Sequence, residues 1–327
     1  MNNIYLKYVL KIILVFFKGQ YYFNFRLFKK KATNKSDSSI FRVKSRGLFA
    51  IVIQGPIIEK SDFTLETIKS YRYFYPNAII IFSTWKVGSD IIEKFKDLDV
   101  HLIQNRYPDY YGISNINLQL VTTQSGVQLA KELGAEYVLK TRSDQRIYHP
   151  GFAAYLNSLI DAFPLCGSIV GQKKRIVGIS LNTFKFRLYG LSDHFIYGYI
   201  DDVLLYFDVE LDCRKFTPED IVNFSSTYRQ FSLSRICEIY LCSNFLNKVG
   251  RSLSFNLSNS FEMFRDHFII IDQSAIKLFW NKYTLDQDRF NYFGFCEPEI
   301  SFNDWLVLNN TNRMEPIIES ILDQPIH

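Results

Sequence analysis

The sequence predicts an α/β fold built on a mostly parallel sheet, and three observations carry that prediction. From Leu48 onward, short runs of β-branched and aromatic residues alternate with stretches whose apolar residues recur at helical spacing. The first of these runs, Phe49 to Ile53, is apolar at every position, as in a strand covered on both faces. The polar junctions of chemical interest follow directly on strands, at the edge where open α/β sheets bind ligands.

Taken in order, the first strand is Phe49 to Ile53, stopped by Gln54, Gly55 and Pro56. Phe63, Ile68 and Tyr71 predict a helix over Phe63 to Tyr73, and Ala78 to Phe82 is the second strand. Ser83, Thr84 and Trp85 follow it, then a short helix from Ser89 to Phe95 and a third strand from Val100 to Ile103. A loop from Asn105 to Asn115 leads into a long helix through Leu133, striped by Ile116, Leu120, Val127 and Leu129 and closed by Gly134. The fourth strand, Tyr137 to Lys140, runs into Thr141, Arg142, Ser143, Asp144 and Gln145. Beyond Pro150 the pattern predicts a helix to Phe163, then strands near Ser168 to Val170, Ile176 to Leu181 and His194 to Tyr197. The rest reads as mainly helical up to an aromatic strand at Phe268 to Ile271.

The chain of 327 residues is 47% hydrophobic, enough for a sizeable core. Its net charge of +5 is unevenly spread: residues 1–46 carry eleven Lys or Arg against the single acid Asp37, so the remainder is net acidic. A basic head on an acidic body suits an anionic membrane surface. It does not suit nucleic acid, whose binders place basic residues over the folded domain. Ile4 to Phe17, broken by Lys7 and Lys11, is too interrupted to span a bilayer and reads as an amphipathic helix in the interface. No small-residue cleavage site follows it, which argues against a secretory signal. The layout expected is a membrane-associating segment over 1–31, a linker over 32–47, a ligand-binding α/β half over 48–150, and a second half over 151–327. The five cysteines, Cys166, Cys213, Cys237, Cys242 and Cys296, form no C-x-x-C pair and fit a reducing cytoplasm, with the protein held peripherally at the inner face of the membrane.

The strand ends carry the candidate chemistry. Asp144 is a carboxylate placed directly after a buried strand, flanked by Lys140 and Arg142, which suit phosphates. The rival reading has Ser143 and Asp144 capping the following helix. Gln54, Gly55 and Pro56 make a turn through which backbone can approach a ligand, or an ordinary strand end. Ser83, Thr84 and Trp85 offer hydroxyls and an aromatic plane to a nucleoside. Asn115, Asn117 and Gln119 open the long helix, where backbone N–H groups favour a phosphate; capping by Ser114 or Asn115 is the alternative.

Several of these pieces, in order, resemble the WavE lipopolysaccharide-synthesis family of glycosyltransferases. They are IVIQGPI at Ile51 to Ile57, TIKSYRYFYPNAIIIFSTW at Thr67 to Trp85, NINLQ from Asn115 and YVLKTRSDQRIY at Tyr137 to Tyr148. SDHFIYG at Ser192 to Gly198 and CEIYLCSNFL at Cys237 to Leu246 extend the resemblance. It implies a GT-A-like nucleotide-diphospho-sugar transferase fold, a nucleotide-sugar donor, and a glycan or glycolipid acceptor such as lipopolysaccharide core. Asp144 then stands for the acidic motif that holds Mn²⁺ or Mg²⁺ in such enzymes, although position 146, where a D-x-D motif has its second acid, is Arg. His194 and His267 are the candidates to complete a metal site, with Asp193 beside the first. Asp193 and Glu238 are the candidates for the general base, and Asp201 and Asp202 read as caps of the next helix. Two other readings remain: a sugar nucleotidyltransferase, and a non-catalytic membrane-bound partner in polysaccharide assembly.

Overall fold

The computed structural model describes residues 48–167, 169–224, 226–282, 297–311 and 318–326. The segments expected over 1–31 and 32–47, and Cys296, lie outside the described residues. Among those described, no helix is long and apolar enough to cross a membrane.

Among the described residues nine strands form: β1 Phe49–Gln54, β2 Ile79–Trp85, β3 His101–Asn105, β4 Tyr137–Arg142, β5 Gln145–Ile147, β6 Ile176–Ile179, β7 Ile196–Tyr199, β8 Phe268–Ile271 and β9 Leu278–Trp280. Seven build one sheet in the order β3-β2-β1-β4-β7-β6-β8. All run parallel except β7, which is antiparallel to both its neighbours. The mostly parallel α/β sheet expected from the sequence is therefore the observed one. It draws strands from both 48–150 and 151–327. Every residue of β1 is buried, as its unbroken apolar run requires.

Alternation along β1 assigns the two covering layers. Phe49 packs edge-on against Tyr75 and Phe152, on one face. Val52 points to the other, beneath the Ile116–Glu132 helix, where a Cβ on Gly126 would meet Val52 Cγ1 at 2.4 Å. The absence of a side chain at Gly126 is what lets this helix lie across β1 and β2. The helix ends in a Schellman motif: Gly134 takes φ +83°, its N–H reaches the Lys131 carbonyl, and the Ala135 N–H reaches that of Ala130. The Ile200–Phe207 and Glu238–Lys248 helices continue the same layer.

Three local expectations change. The strand read near Ser168 to Val170 is not there: Ile169 and Val170 lie in a loop, and Val170 is exposed between Gly167 and Gly171, both at positive φ. Ser143 and Asp144 do not cap the next helix, which begins at Phe152 behind Gly151. The chain instead forms β5, which pairs with β9 as a two-stranded antiparallel ribbon, Gln145 opposite Trp280. Asp201 and Asp202 are not N-caps either. Asp202 is fully buried and accepts the backbone N–H groups of Lys173 and Lys174, and Asp201 pairs with Lys131 and Lys173.

Candidate functional site

The order of strands fixes where a ligand cleft opens. The chain lays β2 and β3 on one side of β1, then crosses to lay β4 on the other, so the connections leaving the carboxyl ends of β1 and β4 diverge. Gln54 and Arg142 are register partners at that point. Gly55 turns the chain out of β1 at φ +114° and hydrogen-bonds Ser83 O at 3.1 Å. Ser143 clamps the same turn, its N–H on Gln54 O at 2.9 Å and its hydroxyl on Pro56 O at 2.6 Å.

Beyond that clamp lies a compact set of charges. Arg142 grips Asp144 through two hydrogen bonds, Nε to Oδ1 at 2.9 Å and Nη2 to Oδ2 at 3.0 Å. The Trp280 indole N–H adds a third, to Oδ2 at 3.0 Å, and the Arg142 guanidinium lies 5.8 Å from the Trp280 ring. Burial works to raise the Asp144 pKa, but the Arg142 hydrogen bonds and charge and the Trp280 N–H outweigh it and hold the carboxyl below its usual range. The Arg142 side chain stays 28% exposed, against 14% for Asp144.

Lys140, two residues back on the same strand, is fully buried and donates to the Asp193 carbonyl. Burial pushes its amine down to about 8, opposed by the negative charges of Asp193, Asp144 and Glu238. Asp193 and His194 reach this edge because β7 runs antiparallel to β4, so the residues before β7 continue past Lys140. His194 is buried, with Gln145 Nε2 2.8 Å from Nδ1, Asn182 Nδ2 3.1 Å from Nε2 and an Asp193 carboxylate oxygen 3.8 Å from Nε2. Glu238 opens its helix at the same edge, half-buried, and its charge acts on both Lys140 and Arg142. Cys237 before it adopts φ +47°, ψ −112°, a costly conformation for a residue with a side chain, and burial pushes its thiol far up.

Other residues read as ligand-binding are committed within the fold. Ser83 is buried and shares hydrogen bonds with Ser125 and Asn105. Thr84 is fully buried, and its hydroxyl has no hydrogen-bond partner among the described residues. Trp85 is covered by Tyr107, stacked at 4.3 Å and 15°, so the aromatic plane offered to solvent is that of Tyr107. Asn117 uses its amide on the backbone of Tyr110 and Asp212. Gln119 is buried with Nε2 unpartnered among the described residues, and Gln54 accepts from Thr122. Asn115 is exposed at φ +63°, and neither it nor Ser114 makes a side-chain capping bond to the helix that follows.

Two positions stand apart from this edge. His267 precedes β8, whose register with β6 sets it at the amino edge of the sheet, where its Nδ1 meets Gln172 at 2.6 Å and burial pushes its imidazole down to about 4. The structure does not bring it to Asp144. Arg146, buried within β5, turns its guanidinium to Thr67 and to the Phe63 carbonyl, tying the Phe63–Phe74 helix in place. Trp280, Gln145 and Asn182 escaped the sequence reading. Only the pairing of Gln145 with Trp280 across the ribbon, which the weak pattern after Ile271 hid, sets that indole on Asp144.

No curated protein matches this sequence. Among solved structures, the chain is similar to a provisionally named nucleotide-diphospho-sugar transferase from Desulfovibrio desulfuricans, at 11% identity over 69% of this chain and 79% of that one, with a TM-score of 0.32. It is also similar to glucosyl-3-phosphoglycerate synthase from Mycobacterium tuberculosis, solved with Mn²⁺, UDP and glucosyl-3-phosphoglycerate, at 12% identity over 73% of this chain and 74% of that one, with a TM-score of 0.38. The family described as WavE lipopolysaccharide synthesis matches residues 49–322, the whole of the sheet and every strand-end residue above. The resemblance read from the motifs is thus met along nearly the full folded chain, and the protein belongs to the WavE lipopolysaccharide synthesis family.

Proposed function

We propose that this protein is a GT-A-type glycosyltransferase that moves a sugar from a nucleotide-sugar donor onto lipopolysaccharide core or another surface-polysaccharide acceptor. The observation that carries the reading is the pairing, at one topological switch point, of a cation and a carboxylate with complementary tasks. Arg142 is anchored on one edge by Asp144 and partly exposed, suited to a phosphate that gains charge as it leaves. Glu238 is the more accessible of the two candidate bases, Asp193 being only 8% exposed. In this reading Glu238 takes the acceptor proton, and Asp193 and His194 shape the pocket beside it. Residues 48–150 supply most of the donor side and residues 151–327 the acceptor side.

Calorimetric titration with UDP-, GDP-, CMP- and dTDP-sugars tests the proposal. One of them is expected to bind; binding of none would favour a non-catalytic partner in polysaccharide assembly. Because the Lys140 amine is pushed down to about 8, its positive charge is present below that pH and lost as pH rises through it. Donor affinity is therefore expected to weaken between pH 7 and pH 9, and a flat profile would remove Lys140 from the phosphate field.

The basic segment over 1–31 is proposed to hold the enzyme on the cytoplasmic face of the inner membrane, beside a lipid-linked acceptor. The full chain is expected to sediment with anionic vesicles and to be released by salt. Equal sedimentation with neutral vesicles would contradict an electrostatic anchor.

A further inference from the structure

The acidic motif of the site is already engaged by three protein donors. Asp144 Oδ1 accepts from Arg142 Nε, and Oδ2 accepts from both Arg142 Nη2 and Trp280 Nε1. The position where a D-x-D motif would supply its second carboxylate is Arg146, whose guanidinium is buried against Thr67 and Phe63. His194 has an amide nitrogen within hydrogen-bond distance of each ring nitrogen. Among the described residues no three His, Cys, Asp or Glu side chains are grouped so that they could hold an ion. A divalent cation bound through Asp144 would have to share a carboxylate already paired with Arg142 and the Trp280 indole, beside that arginine's positive charge, and with no three-ligand group among the described residues the donor set does not fit one.

The same geometry provides a cation of another kind. Arg142 spends Nε and Nη2 on Asp144, while Nη1 has no hydrogen-bond partner among the described residues. The guanidinium is thus a fork held on one edge, near the Trp280 ring and partly exposed, with a donor left over for a ligand. Resting on the donor reading above, we infer that this transferase meets its leaving nucleoside diphosphate with Arg142 in place of a divalent metal, and that Asp144 is a positioning residue for that arginine. In the transfer, the acceptor oxygen bonds the anomeric carbon as that carbon's bond to the diphosphate oxygen breaks. The bonding pair leaves with the diphosphate, whose added negative charge Arg142 receives, and the acceptor proton passes to Glu238.

The test titrates the full-length protein with UDP, GDP and dTDP in excess EDTA, then in Mn²⁺, then in Mg²⁺. One diphosphate is expected to bind with dissociation constants agreeing within about threefold in all three arms. Asp144→Asn, which keeps one oxygen for Arg142 and Trp280, is expected to weaken binding by about tenfold equally in EDTA and in Mn²⁺. Circular dichroism of the variant guards against misfolding, and Arg142→Lys, which cannot keep the two-bond grip, gives a second reading of the same loss. Affinity that appears only with Mn²⁺ or Mg²⁺, with that increment abolished in Asp144→Asn, would overturn the inference while leaving the donor reading intact. Binding of no diphosphate in any arm would overturn both.

Discussion

Glu238→Gln is expected to lower the turnover of sugar transfer by about 10²–10⁴-fold, the usual contribution of a positioned general base, while leaving donor affinity within about threefold. The amide preserves the size and most of the polarity of the side chain but cannot accept a proton. Glu238 begins its helix, directly after the strained Cys237 at the N-cap. Separate measurement of donor dissociation constant and turnover checks the assignment. Equal loss in Asp193→Asn with no loss in Glu238→Gln would move the base to Asp193.

The second large effect belongs to Arg142. Removing one fixed donor aimed at developing charge costs about 10²–10³-fold in rate, and Arg142→Ala removes the whole fork. It also leaves Asp144, a largely covered carboxylate, with the Trp280 indole as its one side-chain hydrogen-bond partner among the described residues. A stability loss of about 1–3 kcal/mol for an under-partnered buried charge is expected alongside. The double variant Arg142→Ala with Asp144→Ala removes that orphaned charge, so it is expected to recover stability without recovering activity. Kinetics and urea denaturation of the single and double variants check this, and a double variant as active as wild type would refute the role given to Arg142.

The sheet was legible because its signal is local. β1 is an unbroken apolar run that implies two-sided burial, β4 opens on three apolar residues, and Gly55 and Gly134 mark turns that need positive φ. The carboxyl-edge location of Gln54, Arg142 and Asp144 followed from those runs alone. What the side chains at that edge do was less legible, because each answer depends on a distant partner. Ser83 is occupied by Asn105 and Ser125, and Asn117 by Asp212. Trp85 looked like a ligand platform because its cover, Tyr107, comes from a loop whose path the sequence does not set. His194 and His267 each follow an Asp and precede a Phe, yet opposite strand directions in β7 and β8 send them to opposite edges. Val170 has the composition of a strand, and two positive-φ glycines close it out of one.

The most direct measurement is a crystal structure of the full-length protein with the tightest-binding nucleoside diphosphate. The account predicts phosphate oxygens within hydrogen-bond distance of Arg142 Nη1, with the Arg142–Asp144 pair intact and Glu238 facing the sugar side. A diphosphate seated away from the β1–β4 carboxyl edge, with Arg142 untouched, would contradict it.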